Sequence, residues 1–341
     1  MARFDHMTGR ALAFLGFLWF IWFMNFSVRT VFSPLMPLIE DEFLINHARA
    51  GSLFIYASTG YAISMFFSGM LCGHFGYKRC ISVSLCTSAL LFFLISQVGS
   101  FAVLCALILV LGLATGIYLP SIIPLITESY AERYWGRSIA IHDSAASVSI
   151  LCIPFIVLLC IEFLPWRYIF IIFGTVFAAS AVLFRFAATE IRIHMATRAP
   201  FMSFVRNKSL WLVGIVWVFA SGANLGVYYV TPLFLTKELF LDIGYANTLF
   251  GVTRIGGVFC AVLSGFIVDR FSIKKMLFLL VSITGLVTVA MTMVDLKYLG
   301  IALFAQASII MGFFPIGLVA ISRMFGREQR SMATGFIVTL G

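Results

Sequence analysis

Gly69-Met-Leu-Cys-Gly-His-Phe-Gly-Tyr-Lys-Arg79 and Gly265-Phe-Ile-Val-Asp-Arg-Phe-Ser-Ile-Lys-Lys275 lie 196 residues apart and share one design. Each ends a long apolar segment with a small residue, a short polar turn and a pair of cations. A hydrophobic helix needs this where it leaves a bilayer on the side that retains Lys and Arg. Upstream at the same offset, Ala50 matches Ala246, Leu53 matches Leu249, Phe54 matches Phe250, Gly60 matches Gly256 and Ser68 matches Ser264. The chain reads as a duplicated membrane unit, the plan of many secondary transporters.

Composition agrees. Hydrophobic residues make up 62% and charged residues 11%, where a soluble domain carries about 25% charged residues. Mean hydropathy is +1.05. The net charge of +9 resides in short breaks between apolar runs, without the basic stripe or aromatic platform of a nucleic-acid binder. The seven cysteines lie in or beside apolar stretches without C-x-x-C spacing, so packing is their expected use.

A spanning helix needs about 20 apolar residues. Ten runs qualify: 11–37, 50–73, 80–97, 101–126, 138–162, 166–187, 210–235, 245–268, 276–294 and 298–322. The first is too long for a cleaved signal and is expected to span. Alternating the loops puts seventeen cations on one face and four, Arg49, Arg167, Lys237 and Lys297, on the other. The positive-inside rule makes the richer face cytoplasmic, with the N terminus inside, and the expected location is the plasma (cell inner) membrane. Residues 1–187 form an N-terminal six-helix half, 188–209 a cytoplasmic linker and 210–341 a C-terminal half. The second half is shorter by about 50 residues, the length of two helices and a turn. Gly326-Arg-Glu-Gln-Arg-Ser331 echoes Arg133-Tyr-Trp-Gly-Arg-Ser138, the loop opening helix 5. The expectation is a sequence truncated within helix 11: an all-α bundle of two pseudo-symmetric halves, the second incomplete.

At these residues the chain resembles the major facilitator superfamily, whose signature between helices 2 and 3 is similar to Gly-x-x-x-Asp-Arg-x-Gly-x-Arg-Lys. Gly69, Gly73, Gly76, Lys78 and Arg79 fit that frame, with Gly73 where Asp is usual and His74 where Arg is usual. The second copy keeps Gly265, Asp269, Arg270, Lys274 and Lys275 but has Ser272 for the later glycine. Pro165-Trp-Arg167 and the Gly-Arg-Ser at 136–138 extend the likeness over nearly the whole chain. The resemblance implies that these ten motif residues help hold one half against the other as a gate. The missing acid at Gly73 places the first-half charge contact in question, while Asp269 with Arg270 retains it in the second. On physical grounds alone, Gly69 and Gly73 share a helix face and let neighbouring backbones approach.

Four strongly polar side chains fall well within the runs: Arg29, His142, Asp143 and Arg254. An ionisable group in hydrocarbon costs about 2.5 to 3.5 kcal/mol on insertion scales, so it faces the bundle interior and marks a solute or ion path. Arg29 and Arg254 each lie about 14 Å from the outer end of their runs, at a rise of about 1.5 Å per residue. That depth is near the midplane, where transporters bind solute. Asn25, Arg29 and Ser33 form a polar stripe on helix 1; Ser221, Asn224, Tyr228 and Thr231 form one on helix 7; Thr115, Tyr118 and Ser121 add hydroxyls on helix 4. Two guanidiniums at one level favour an anion, because carboxylate and phosphate accept paired hydrogen bonds from them. The expected solute-binding residues are Arg29, Arg254, Asn25, Tyr118, Asn224 and Tyr228. Asp143 and His142 are the expected proton-coupling residues, with a gate contact for Asp143 as the other reading.

The expected activity is alternating-access transport of a small organic anion, coupled to a proton or Na+, by a monomer in a lipid bilayer. A drug or metabolite efflux pump and a non-transporting receptor are the alternatives. Helix 5 lacks the Gly-Pro pair of the drug antiporters, since Ile153 precedes Pro154, which argues against export of cationic drugs. No nucleotide loop, metal-ligand spacing or nucleophile–base set points to an enzyme or a cofactor.

Overall fold

The computed structural model describes residue 4 and residues 6–189, 206–227, 252–326 and 329–341, together with residues 235, 239–241 and 249. Among them the chain is helical, with a single isolated bridge between Phe4 and Tyr130. The N-terminal set comprises α1 (Arg10–Thr30), α2 (Phe32–Phe43), α3 (His47–Phe75), α4 (Tyr77–Ser96), α5 (Phe101–Gly116), α6 (Tyr118–Ser129), α7 (Trp135–Phe163) and α8 (Arg167–Ala187). The C-terminal set comprises α9 (Lys208–Ser221), α10 (Ile255–Val268), α11 (Ile273–Ala290), α12 (Leu296–Met311), α13 (Phe313–Met324) and α14 (Arg330–Leu340). A π-helical turn, Gly222–Gly226, follows α9.

Three of the expected runs are broken, and proline explains each break. Pro34, Pro120 and Pro315 lie four residues after Thr30, Gly116 and Met311, the last residues of α1, α5 and α12. A proline has no N–H for the carbonyl four residues back, so the ladder stops there and a new helix begins one residue on. In α7 the axis bends by 43° at Pro154. Among the described residues, seven helices or helix pairs are long and apolar enough to cross a membrane, eight with bent α7, where the sequence reading counts ten. The difference lies in the C-terminal set, where α9 and α10 have 14 residues each and the continuation of their runs falls outside the described residues. Most of the 188–209 linker falls outside them too.

Small residues set the closest helix contacts. A Cβ on Gly60, Gly112 or Gly116 would strike the carbonyl oxygens of Leu109, Ala57 and Tyr61, so α3 and α5 touch backbone to backbone. Elsewhere aromatic rings fill the space, as where Phe92 of α4 meets Phe170, Phe173 and Phe177 of α8. The outer surface carries large exposed apolar side chains such as Phe186, Phe259, Phe278 and Leu286, as a lipid-facing surface requires.

The two sets meet where the cation-bearing turns lie, called here the basic end. α10 crosses α7 there, and α14 packs against α3 and α6. Phe4 pairs with this end: its N–H donates to Ser129 O at 2.8 Å, and Ala131 N–H donates to Phe4 O at 3.3 Å.

Candidate solute-binding site and gate

The arginine expected on helix 1 occupies the last turn of α1, half-buried, with its Cζ 3.6 Å from the Tyr61 ring centroid and 5.1 Å from that of Phe26. At the shorter distance the guanidinium must lie nearly flat on the ring, since a tilted one would drive an N–H into ring carbons. No ion pair among the described residues includes Arg29. The Tyr61 hydroxyl is buried and has no hydrogen-bond partner.

Arg254 sits immediately before α10 and donates from Nη1 to Asn224 Oδ1 at 3.3 Å. Asn224 belongs to the π turn, a feature that often marks functional positions because it disturbs the helical ladder. Gln306 of α12, only 1% exposed, donates from Nε2 to Ala223 O at 2.7 Å in the same turn. The structure thus joins Arg254 with Asn224 and leaves Arg29 in a separate cluster on the other set. Tyr228 and Thr231 lie outside the described residues.

Behind Arg29 lies a buried aromatic and polar wall. Trp22 stacks on Tyr118 and on His142, with centroids 5.6 and 5.7 Å apart. Tyr118 is fully buried and its hydroxyl donates to Leu18 O and meets His142 Nε2, both at 3.2 Å. A phenol has one proton to give, so His142 holds its own on Nε2, leaving Nδ1 as a buried acceptor without a partner. Asn25 is 1% exposed and donates to Thr115 O at 3.3 Å. Tyr118 and Asn25 are therefore closed from solvent in this conformation. The Thr115 and Ser121 hydroxyls bond carbonyls of their own segment, Leu111 and Gly112 for the first and Ile117 for the second. Asp143 is buried, 8% exposed. His142 and Asp143, adjacent on α7, point in different directions, as neighbouring helical residues must.

At the basic end, Gly265 brings α10 onto α7: a Cβ there would meet Ala140 Cβ and lie 2.5 Å from Gly136 O. Asp269, one residue beyond α10, then caps α7, accepting from Gly136 N–H at 3.1 Å and Arg137 N–H at 3.2 Å. Arg137 Nε and Arg323 Nη2 approach its carboxylate at 3.6 and 3.8 Å. Burial pushes the carboxyl up from its ordinary value, while the two N–H bonds and the two arginines pull it down. A contact in which desolvation offsets attraction is one that can open.

The first copy of the motif works differently. Gly76 turns α3 into α4 at a φ of 88°, a conformation suited to glycine. Gly73 supplies no acid, and the contact is rebuilt from α6. Arg330 at the start of α14 donates from Nη1 to Thr127 Oγ1 at 2.9 Å, lies 3.7 Å from Glu128 Oε1, and covers the Trp135 ring at 4.6 Å. Arg79, Arg270, Lys274 and Lys275 are exposed and Lys78 half-buried around this seam. Sequence reasoning missed Tyr61, Gln306, Glu128 and the pairing of Arg330. The signal for Glu128 was present, an acid at the end of an apolar run, whereas Tyr61 and Gln306 declare themselves only through contacts distant in sequence.

This architecture is that of a known class. The Major Facilitator Superfamily model matches residues 18–341, and the chain belongs to that superfamily, whose members are membrane transporters and not enzymes. It is 23% identical over 301 residues to YybF of Bacillus subtilis (strain 168), an uncharacterized MFS-type transporter, covering 85% of this chain and 72% of that one. The fold superposes on FucP in the outward conformation with a TM-score of 0.79, at 13% identity over 96% of this chain and 88% of that one. FucP is the E. coli fucose:proton symporter. The human organic anion transporter MFSD10 (TETRAN) gives 0.71 at 16% identity, covering 97% and 89%. At such identities the likeness shows a shared fold.

Proposed function

We propose that the chain moves a small organic anion across the cell's inner membrane by alternating access, with the site between the two helix sets at Arg29 and Arg254. The observation that carries this is Arg29: a guanidinium inside a membrane bundle, half-buried, stacked on Tyr61 and without a carboxylate partner among the described residues. Such a charge is costly in hydrocarbon unless something neutralises it, and a solute anion does so. Arg254 and Asn224 supply donors from the opposite set, with Tyr228 a further lining residue. Asn25 and Tyr118 brace the wall behind Arg29.

The basic end is cytoplasmic in this reading, with the N terminus inside, by the positive-inside rule. Closure there through Gly265, Asp269 and Arg330 supports an outward-facing state. Asp143, with His142 next to it in sequence, is the proton-coupling group, which makes the carrier a proton symporter or antiporter.

Reconstituted in proteoliposomes, the protein is expected to take up organic anions, and Arg29→Gln and Arg254→Gln each abolish uptake. Wild-type rates in both variants exclude anion recognition by this site. Saturable binding with no flux places the protein among receptors instead. Asp143→Asn is expected to remove the dependence of uptake on a pH gradient.

A further inference from the structure

Two donors in the first cluster lack the same thing. Arg29 has charge and N–H groups but no carboxylate among the described residues, and the Tyr61 hydroxyl beneath it is buried without a hydrogen-bond partner. A buried hydroxyl left unpaired costs free energy, so its presence on the wall of a binding site asks for an acceptor that arrives with the solute.

The position of Tyr61 is rigid. Its backbone N and O abut Gly112 and Gly116, where no side chain intervenes, so α3 cannot slide on α5 to give the hydroxyl another neighbour. Phe26 limits the guanidinium from its own helix, at 5.1 Å. The donors consequently occupy two levels: the plane of the guanidinium, and the plane of the Tyr61 ring 3.6 Å away. The hydroxyl is borne on the ring that Arg29 covers at 3.6 Å, so one headgroup at the edge of the guanidinium can reach both.

Headgroup shape decides which anion uses both levels. A carboxylate pairing with a guanidinium lies in the guanidinium plane, and both its oxygens stay at that level. A tetrahedral oxyanion that pairs two oxygens with the guanidinium directs a further oxygen out of the plane, toward the level of the hydroxyl. We infer that Tyr61 is a third solute-binding residue alongside the arginines, and that the Arg29–Tyr61 pair selects a tetrahedral oxyanion, a phosphate ester or phosphonate, over a carboxylate. This rests on the anion-transport reading and narrows it.

The test compares phenylphosphonate with benzoate, which share a body and differ in headgroup, as ligands of the full chain in lipid nanodiscs. Binding is read by tryptophan fluorescence and calorimetry. Wild type is expected to hold phenylphosphonate about tenfold or more tighter, the value of one hydrogen bond to a charged group. Tyr61→Phe keeps the ring under Arg29 and is expected to erase that preference while leaving benzoate affinity unchanged. Arg29→Gln is expected to lose both ligands. Equal affinities in wild type, or a preference that persists in Tyr61→Phe, overturn the inference about Tyr61 while leaving anion transport standing. Wild type that binds neither ligand, or Arg29→Gln that binds both normally, overturns the anion reading itself. Unchanged melting of the Tyr61→Phe protein confirms that the variant is folded.

Discussion

Single residues at the seam carry large consequences because they have no room to spare. Gly265 is the narrowest point: any side chain there enters the space of Ala140 and Gly136. Gly265→Leu is expected to cost about 1 to 3 kcal/mol of the closed arrangement, the usual price of overpacking. A thiol placed by Ala140→Cys should resist maleimide in the parent and react readily when leucine stands at 265. Asp269 adds a proton linkage. Its carboxyl has a raised pKa in the closed arrangement, so that arrangement binds protons better than an open one with the carboxyl in water. Acidification therefore favours closure, and the advantage is lost as pH rises through the raised value. Energy transfer between labels on α7 and α10 should report shorter distances at acid pH, and Asp269→Asn should flatten the response.

At the scale of elements, the helix breaks were legible in principle and were read across. Pro34, Pro120 and Pro315 are plain in the sequence, yet an apolar run continues through each, and hydropathy alone cannot separate one bent span from two helices. The motif turns do end helices, α3 at Phe75 and α10 at Val268, and small residues with paired cations signal such an end without any tertiary contact. The π turn was not readable, since nothing in Gly222–Gly226 announces a five-residue repeat. What holds it is Gln306, contributed from α12 more than eighty residues away. Gln306→Leu is expected to leave the Ala223 carbonyl unpaired, at about 1 to 3 kcal/mol. Asn224 would then lose its position opposite Arg254. The check is kinetic: a raised KM with little change in kcat, together with a lowered melting temperature.

For the whole molecule, the decisive fact is that the helix sets touch at the basic end through two unlike devices. The second motif copy uses Asp269 capping α7; the first, lacking an acid at Gly73, uses Glu128 and Thr127 to hold Arg330. The two motif copies are plain in the sequence, and the asymmetry of their contacts is not, because the replacement acid lies on a different helix from the residue it replaces. With other cysteines removed, Thr127→Cys and Arg330→Cys joined by a short thiol cross-linker are expected to stop transport while solute still binds from the opposite side; transport that survives cross-linking would show that this end does not open. The bridge between Phe4 and the Ser129–Ala131 segment bears on any such experiment. It moors Phe4 to the joint that opens in the proposed cycle, so a fluorescent protein or affinity handle fused ahead of Phe4 would weigh on the hinge. The same mooring makes that fusion point a place from which a reporter could sense each turnover.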